Sequence, residues 1–437
     1  MAPATLGLLL LLLFGMGLPI AIALASTAAV FMQTSGIPLQ AMVQRMFAAL
    51  DSFPLAAIPF FILAGAVMEA AGISTRLINF AQAMVGRATG GLALVTVISA
   101  MFFAAISGSS AATTAAIGSI LIPAMAARGY SKGFATATQA ASGELGVIIP
   151  PSIPMIIFAL TAGVPVSIGD LFMAGVIPGA MIGASLMLTV YVVSRWKGYG
   201  LPGGQGLGTL AEGRMPDEVG LARSFREAIL ALLMPVIILG GIYGGIFTPT
   251  EAAVVAVVYA LVLGMVVYRT LTPAALMTAL RSSLLNTVVI LLIIAAASVF
   301  GWVLTANRIP TMIAQAFVAV SNDPTVFLLL VNVLLLVVGM FLETGAAIII
   351  LAPILTPVAL SMGVDPVHFG ILMIVNLAVG MTTPPVGVNL FVACQIANLR
   401  IEQILKSMLP FYFVLLLDIA LITYLPQISL WLPQVLK

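Results

Sequence analysis

The sequence predicts an all-α polytopic membrane protein with two inverted-topology repeats, each holding a re-entrant helical hairpin and a broken helix. Three observations carry that expectation. The chain is 62% hydrophobic and 7% charged over 437 residues, whereas a soluble domain has about a quarter of its residues charged. Apolar runs of bilayer-crossing length, about 18 residues or more, recur along it. One set of Gly and Pro motifs also occurs twice at a constant offset.

The duplication is read residue by residue. Leu121-Ile122-Pro123 returns as Leu355-Thr356-Pro357, Gly129 as Gly363, Gly146 as Gly380, and Pro150-Pro151 as Pro384-Pro385, each 234 positions on. Arg45 and Gly65 return as Arg281 and Gly301, 236 positions on. Residues 1–194 and 227–437 are therefore two repeats. Between them, 195–226 is the one long polar stretch and reads as a cytoplasmic linker.

The elements follow in order. The N-terminal apolar run lacks a basic n-region and is too long for a signal peptide, so 5–28 is the first spanning helix. An amphipathic arm, 38–50, lies on the outer surface. Helix 53–72 returns, the hairpin 90–127 enters from the cytoplasm, the broken helix 134–160 goes out, and 170–194 comes back. In the second repeat, 227–245 goes out and 250–268 returns. An arm, 270–283, lies on the inner surface, and 284–305 goes out. The hairpin 325–362 enters from the periplasmic side, the broken helix 367–395 runs inward, and 408–431 runs outward. The orientation comes from Arg87, Arg128 and Lys132 flanking the first hairpin and Asp323 and Asp365 flanking the second, because Lys and Arg collect on the cytoplasmic side. In this threading 13 of the 16 Lys and Arg are cytoplasmic, with Arg45, Arg308 and Lys437 outside. The N-terminus is then cytoplasmic and the C-terminus periplasmic, in a multi-pass inner-membrane protein.

Composition narrows the function. One Cys (Cys394) and one His (His368) leave no internal disulfide and no Cys or His metal cluster. No phosphate-binding Gly-Lys-Ser/Thr loop is present, so the chain itself is not expected to hydrolyse ATP. Cys394 and the distant His368 make a poor nucleophile–base pair, so no enzyme is expected. A net charge of +2 says little about partners; the lipid bilayer is the expected surrounding, with no nucleic acid.

The chemistry is expected where helices are interrupted. Each repeat has a hairpin tip, Ser107-Gly108-Ser109-Ser110 with Thr113, and Leu342-Glu343-Thr344-Gly345. Each also has a break, Gly146 to Pro151 and Gly380 to Pro385. Proline has no N–H and clashes with the carbonyl of the preceding turn, so paired prolines free carbonyl oxygens. Those carbonyls and nearby hydroxyls make a cage of hard oxygen ligands suited to an alkali cation at half-helix C-termini. Half-helix N-termini present N–H groups to a substrate carboxylate. Ser and Gly also serve plain close packing, but the same pairing occurring twice argues for function. Acidic residues inside the membrane are functional candidates by default; these are Glu343 at the outer tip, Glu144 before Gly146, and Asp418 in the last helix. His368 reads as a surface residue. Tyr412, Tyr424 and Trp431 read as interface anchors.

The stretches LDSFPLAAIPFFILAG (50–65), SGSSAATTAAIGSILIPAM (107–125), SGELGVIIPPSIP (142–154), DPVHFGILMIVNLAVGMTTPPVGVNLFVA (365–393) and SLWLP (429–433) carry a resemblance over nearly the whole chain. It resembles the large membrane subunits of the tripartite ATP-independent periplasmic (TRAP) transporters. The resemblance implies an elevator-type importer of a small organic acid, driven by sodium (Na+). It implies two partners, a periplasmic substrate-binding protein and a small four-helix membrane subunit on a separate chain. By position it implies one sodium site at Ser107, Ser110, Gly146, Ile149 and Pro151, and a second at Thr344, Gly345, Gly380, Thr383 and Pro385. Candidate substrate-binding residues are Ser109, Thr113, Glu144, Pro150, Glu343 and Pro384. The chain departs from the family pattern at Thr113 and Glu343, where Asp is common, and at Glu144, where the residue is often small or hydroxylated. A stand-alone sodium/dicarboxylate symporter of similar architecture is the alternative.

Overall fold

The computed structural model describes residues 3–200, 220–309, 311, 312, 315 and 323–436. Most of the expected linker, 201–219, lies outside the described residues, as does Lys437. No strand occurs among the described residues. Eight described helices are long and apolar enough to cross a membrane, or nine with one bent pair counted as a span.

The first repeat opens with α1 (Pro3–Gly15) and α2 (Ile20–Thr34). The expected single helix 5–28 is thus two helices. Gly17 at φ 78° and Pro19 interrupt it, since one turns the chain left-handed and the other lacks an N–H. The arm α3 (Leu39–Leu50) buries no residue. It is tied to the long helix Pro273–Ala306 by the Arg45 guanidinium, 4.2 Å above the Trp302 ring. A 3-10 turn leads into α4 (Ala57–Ala70). Next comes an element missing from the sequence reading, α5 (Ile73–Val85), which packs on the helices Gly91–Ser107 and Leu221–Tyr243. Gly72, at φ 71°, separates it from α4, and a hydrophobic run that ends at a turn hides a short amphipathic helix behind it.

Helices α6 (Gly91–Ser107) and α7 (Ser110–Ala127) form the first hairpin. Gly108 closes α6 in the left-handed region at φ 61°, and extended Ser109 caps α7, its hydroxyl accepting from Ala112 N. The second hairpin, α15 (Pro324–Gly339) and α16 (Thr344–Ser361), turns at Glu343, which caps α16 by accepting from Ala346 N at 3.2 Å. The two caps are 234 positions apart, the offset of the sequence repeat. At 1.5 Å per residue these arms are about 24–27 Å long, close to the roughly 30 Å apolar thickness, and each pair turns back on itself at its tip.

The broken helices sit between the hairpins. In the first, α8 (Lys132–Gly143) and α9 (Leu145–Ile148) precede α10 (Ile153–Thr161), bent by 47°. In the second, α17 (Pro366–Gly380) stops before an irregular stretch and α18 (Val388–Ala397) resumes. Both breaks carry a cis Pro-Pro bond, 150–151 and 384–385. Helices α11 (Ile168–Lys197), α19 (Ile401–Tyr424) and α20 (Gln427–Val435) complete this core with the hairpins. A second group, α2, α3, α4, α5, α12 (Leu221–Tyr243), α13 (Pro249–Val262) and α14 (Pro273–Ala306), packs beside it.

Several expected boundaries shift. The arm 270–283 and span 284–305 are one helix, α14, because no Gly or Pro interrupts 274–300. The linker is narrower, since α11 reaches Lys197 and α12 starts at Leu221, with Arg223 paired to Glu227 at 3.2 Å on its first turns. The segment 408–431 is two helices, parted at Leu425-Pro426. His368 is not on the surface: it is 1% exposed, with its ring nitrogens 3.3 Å from Ser429 Oγ and Thr423 O.

Candidate functional site

The first tip and the first break are in direct contact. Ile153 N donates to Gly108 O at 3.3 Å, and a Cβ built on Gly108 lies 2.9 Å from Pro151 O. A Cβ on Gly146 would stand 2.4 Å from Ser109 O and 2.5 Å from Thr113 Oγ1, so only Gly lets the break reach the tip. Ser107 Oγ lies 3.0 Å from Thr113 Oγ1, which also donates to Ser109 O at 2.8 Å. Ser107, Ser109, Thr113, Gly146 and Pro151 therefore converge. Ser110 turns away, its hydroxyl 3.8 Å from Met381 Sδ in the second break. The Ile149 side chain packs on Gly179 of α11, and Pro150 is buried beside it. Gln139, unmarked in the sequence, donates to Thr113 O at 3.2 Å and Thr114 O at 3.3 Å, which steadies the first turn of α7.

The second site is assembled differently. Thr344 Oγ1 lies 2.9 Å from Met381 Sδ, so Met381 touches a hydroxyl of each hairpin tip. Gly380 meets the first hairpin arm rather than the tip: a Cβ there would be 2.6 Å from Gly339 Cα. Thr383 Oγ1 donates to Val379 O at 3.0 Å, back onto the end of the helix that precedes the break. Pro384 is half-buried and Pro385 exposed. A Cβ on Gly345 would meet Glu343 Oε2 at 3.0 Å and Ile157 Cδ1 at 3.1 Å, which sets the second tip against α10. Tyr412, expected as an interface anchor, instead donates to Thr382 O at 2.8 Å and holds the break, while Tyr424 and Trp431 stay exposed. Asn389 follows the break fully buried. Its N–H donates to Met381 O at 3.0 Å, and neither of its side-chain polar atoms has a partner among the described residues.

Both sites offer neutral hard oxygens: hydroxyls, freed carbonyls and, in the second, an orphaned amide. Hard oxygens of this kind suit an alkali cation, and the Met381 thioether lies beside them as a soft donor. Among the described residues no group of three His, Cys, Asp or Glu gathers as a metal cluster.

A cavity of 470 Å³ lies beside the tips. Ser107 to Ala112 and Glu343 with Gly345 form one side, and Ile153, Pro154 and Ile157 of α10 the floor. The facing wall comes from α4 (Ile62, Gly65, Ala66, Glu69) and α14 (Ser282, Asn286, Val289, Ile290). Of the candidate substrate residues, Ser109 and Glu343 line it; Thr113, Glu144, Pro150 and Pro384 do not. Glu69, Ser282 and Asn286 were missed. The available signal was polar side chains inside the otherwise apolar runs of α4 and α14.

The family described as Tripartite ATP-independent periplasmic transporter, DctM component, matches residues 5–428. The chain is 46% identical over 406 residues to the isethionate TRAP transporter permease protein DctMQ of Oleidesulfovibrio alaskensis. That match covers 92% of this chain and 62% of the relative, so the chain spans less than two thirds of that protein's length. It is 43% identical over 409 residues to the C4-dicarboxylate TRAP transporter large permease protein DctM of Pseudomonas aeruginosa, covering 94% of this chain and 93% of that one. The crystal structure of the YdaH transporter of Alcanivorax borkumensis superposes with a TM-score of 0.66 at 15% identity, over 95% of this chain and 97% of that chain, which is a likeness of fold.

Proposed function

The chain belongs to the family of tripartite ATP-independent periplasmic transporters as a DctM component, a multi-pass permease and not an enzyme, and on that footing we propose that it is the sodium-coupled transport subunit of an importer of a small organic acid. The observation that carries this reading is the twofold pairing of a hairpin tip with a proline break. In the first pairing hydroxyls and a carbonyl gather at a half-helix end, in the second Thr344 meets the Met381 thioether, and both tips border one cavity. The first turn of α7, Ser109 to Ala112, lines that cavity, and a half-helix N-terminus there is a seat for a carboxylate. Glu343 caps the matching N-terminus of α16, so an anion is drawn to the first tip. Two relatives named for isethionate and a C4-dicarboxylate, both small organic anions, support the same substrate class.

In this reading sodium fills the oxygen cages and draws tip and break together around the substrate. The hairpins and broken helices then move as one body past α4 and α14. A periplasmic binding protein delivers the acid, and a small four-helix membrane subunit braces the stationary helices. The protein works in the inner membrane, with Arg87, Arg128 and Lys132 on the cytoplasmic side.

The test is reconstitution with the small subunit and measurement of labelled organic-acid uptake, with and without inward sodium and the binding protein. Uptake that needs both is expected. Sodium-driven uptake without the binding protein would point to a stand-alone symporter, and flux indifferent to sodium would remove the proposed ion sites.

A further inference from the structure

A second and larger cavity, of 660 Å³, lies away from the tips. Thr161 and Gly163 at the end of α10 and Pro353 and Pro357 of α16 line one side, and Ser52 with the C-terminal half of α14 lines the other. It is stacked on the tip cavity along the same three helices. Ile157, Ile290 and Gly345 border the tip cavity, whereas Leu160, Ile294 and Ile349, three or four residues further on, border this one. On each helix the two cavities are thus about one turn, roughly 5 Å, apart.

The charge of this cavity is one-sided. Arg308 is the single charged residue among its described lining residues. The hydroxyls of Thr161 and Thr305 donate back to Ile157 O at 2.8 Å and Gly301 O at 2.9 Å, and Ser298 donates to Arg45 O at 3.4 Å. The Arg45 guanidinium is committed to the Trp302 ring. Arg308 has no hydrogen bond or ion pair from its side chain among the described residues. Its backbone is left-handed, φ 55°, with its N–H on Thr305 O at 3.0 Å, the place past a helix end that glycine ordinarily fills. A helix C-terminus favours a cation anywhere in its last turn. That does not account for an arginine in the left-handed position, nor for one at the outer face, which Lys and Arg avoid.

We propose that this cavity is the outer antechamber of the transport path, where Arg308 receives the carboxylate or sulfonate group of the incoming acid. The inference rests on the transporter reading above and adds to it a route and a first charged contact. One uncommitted cation in a wall free of acids raises the local concentration of anions and their rate of entry, and does so less at high salt. The five N–H donors of a guanidinium match the paired oxygens of such a head group. The rest of the lining offers Ile294, Ile349 and Pro353, and hydroxyls turned back onto backbone carbonyls, so the acid is held at one point and passes on.

The experiment reads the charge preference of the antechamber with one reporter thiol. In a Cys394→Ser background, Thr161→Cys puts a thiol in the cavity wall, and Thr305→Cys is a second reporter on the facing wall. The full chain in lipid nanodiscs is reacted with an anionic and a cationic methanethiosulfonate, each rate divided by its rate with a free thiol in solution. At low salt the anionic reagent should be favoured about fivefold, the effect of one unit charge across roughly 8 Å of water on reagents of opposite sign. Arg308→Gln should bring the ratio close to unity, and Arg308→Lys should keep it. A ratio near unity in the parent, or one unchanged in Arg308→Gln, overturns the proposal. So does a thiol that reacts in detergent but is shielded in nanodiscs, which would mark a lipid occupant. Should Arg308→Gln fail to insert, the parent ratio and its collapse at high salt still decide. In vesicles supplied with the binding protein, Arg308→Gln should raise the half-saturating concentration of labelled isethionate or succinate severalfold. An unchanged value overturns the proposal, as does a rise matched by weaker association of the binding protein, which would make Arg308 a protein contact. Absence of any uptake by the wild type counts against the transporter reading alone, since the thiol ratio needs no transport.

Discussion

Ser107 lies at the first tip and Thr383 in the second break, and their hydroxyls are engaged differently. Ser107 Oγ faces Thr113 Oγ1 across the first tip at 3.0 Å. Thr383 Oγ1 is spent on Val379 O, at the end of the preceding helix, at 3.0 Å and must rotate to serve an ion. A hydroxyl to a charged partner contributes about 1.5–3 kcal/mol, so Ser107→Ala should raise the half-saturating sodium concentration roughly tenfold or more. Thr383→Ala should raise it less, because the bond to Val379 O is given up first. Sodium titration of uptake at saturating substrate reads both, and an unchanged midpoint in Ser107→Ala would remove that hydroxyl from the cage. At this scale the sequence was partly legible. Ser and Thr beside Gly and Pro marked the tips, because oxygen donors next to a broken helix have few other uses in lipid. Met381, Asn389 and Gln139 left no mark, since a lone Met, Asn or Gln in an apolar run is unremarkable until its neighbours are known.

Between elements, the close approaches are set by glycine. Gly146 lies against the backbone of Ser109, and Gly380 against that of Gly339, so neither neighbour can swing aside. Gly146→Ala should cost about 1–3 kcal/mol of overpacking and force tip and break apart. Uptake should fall sharply while the protein still inserts and purifies. Gly240→Ala is the control, because a Cβ there meets nothing within 4 Å, and it should transport normally. Equal loss in both variants would show that the effect is general and not one of tip–break contact. Hairpins and breaks were legible in the sequence because Gly and Pro recurred at one offset. Boundaries were less so. Arg281, Ser282 and Ser283 looked like the end of an arm, but α14 runs straight through them, since polar residues do not stop a helix whose backbone bonds are intact. Helix α5 went unseen because its apolar positions are spaced for one face only and merge with the runs on either side.

For the molecule as a whole, inverted repeats make a topological claim that labelling can check. Cys394 is the single cysteine, so Cys394→Ser leaves a clean background. In it, Trp196→Cys, at a site 86% exposed at the end of α11, should react with a membrane-impermeant thiol reagent only from the cytoplasmic side. Phe47→Cys, at a site 72% exposed on the arm α3, should react only from the periplasmic side. Labelling of both from one side would invert or break the threading. The sequence by itself determined the membrane class, the two repeats and the four interruptions, because apolar length, scarcity of charge and the Gly/Pro pattern are properties of the chain that need no partner. Only the tertiary structure decided which polar groups meet. Met381 touches Ser110 and Thr344, Tyr412 holds Thr382, and Ser185 donates to Asp418, each across helices whose order along the chain says nothing about which sides turn together. The physical reason is that an all-apolar helix has no strong polar face to fix its rotation, so packing of small residues sets it.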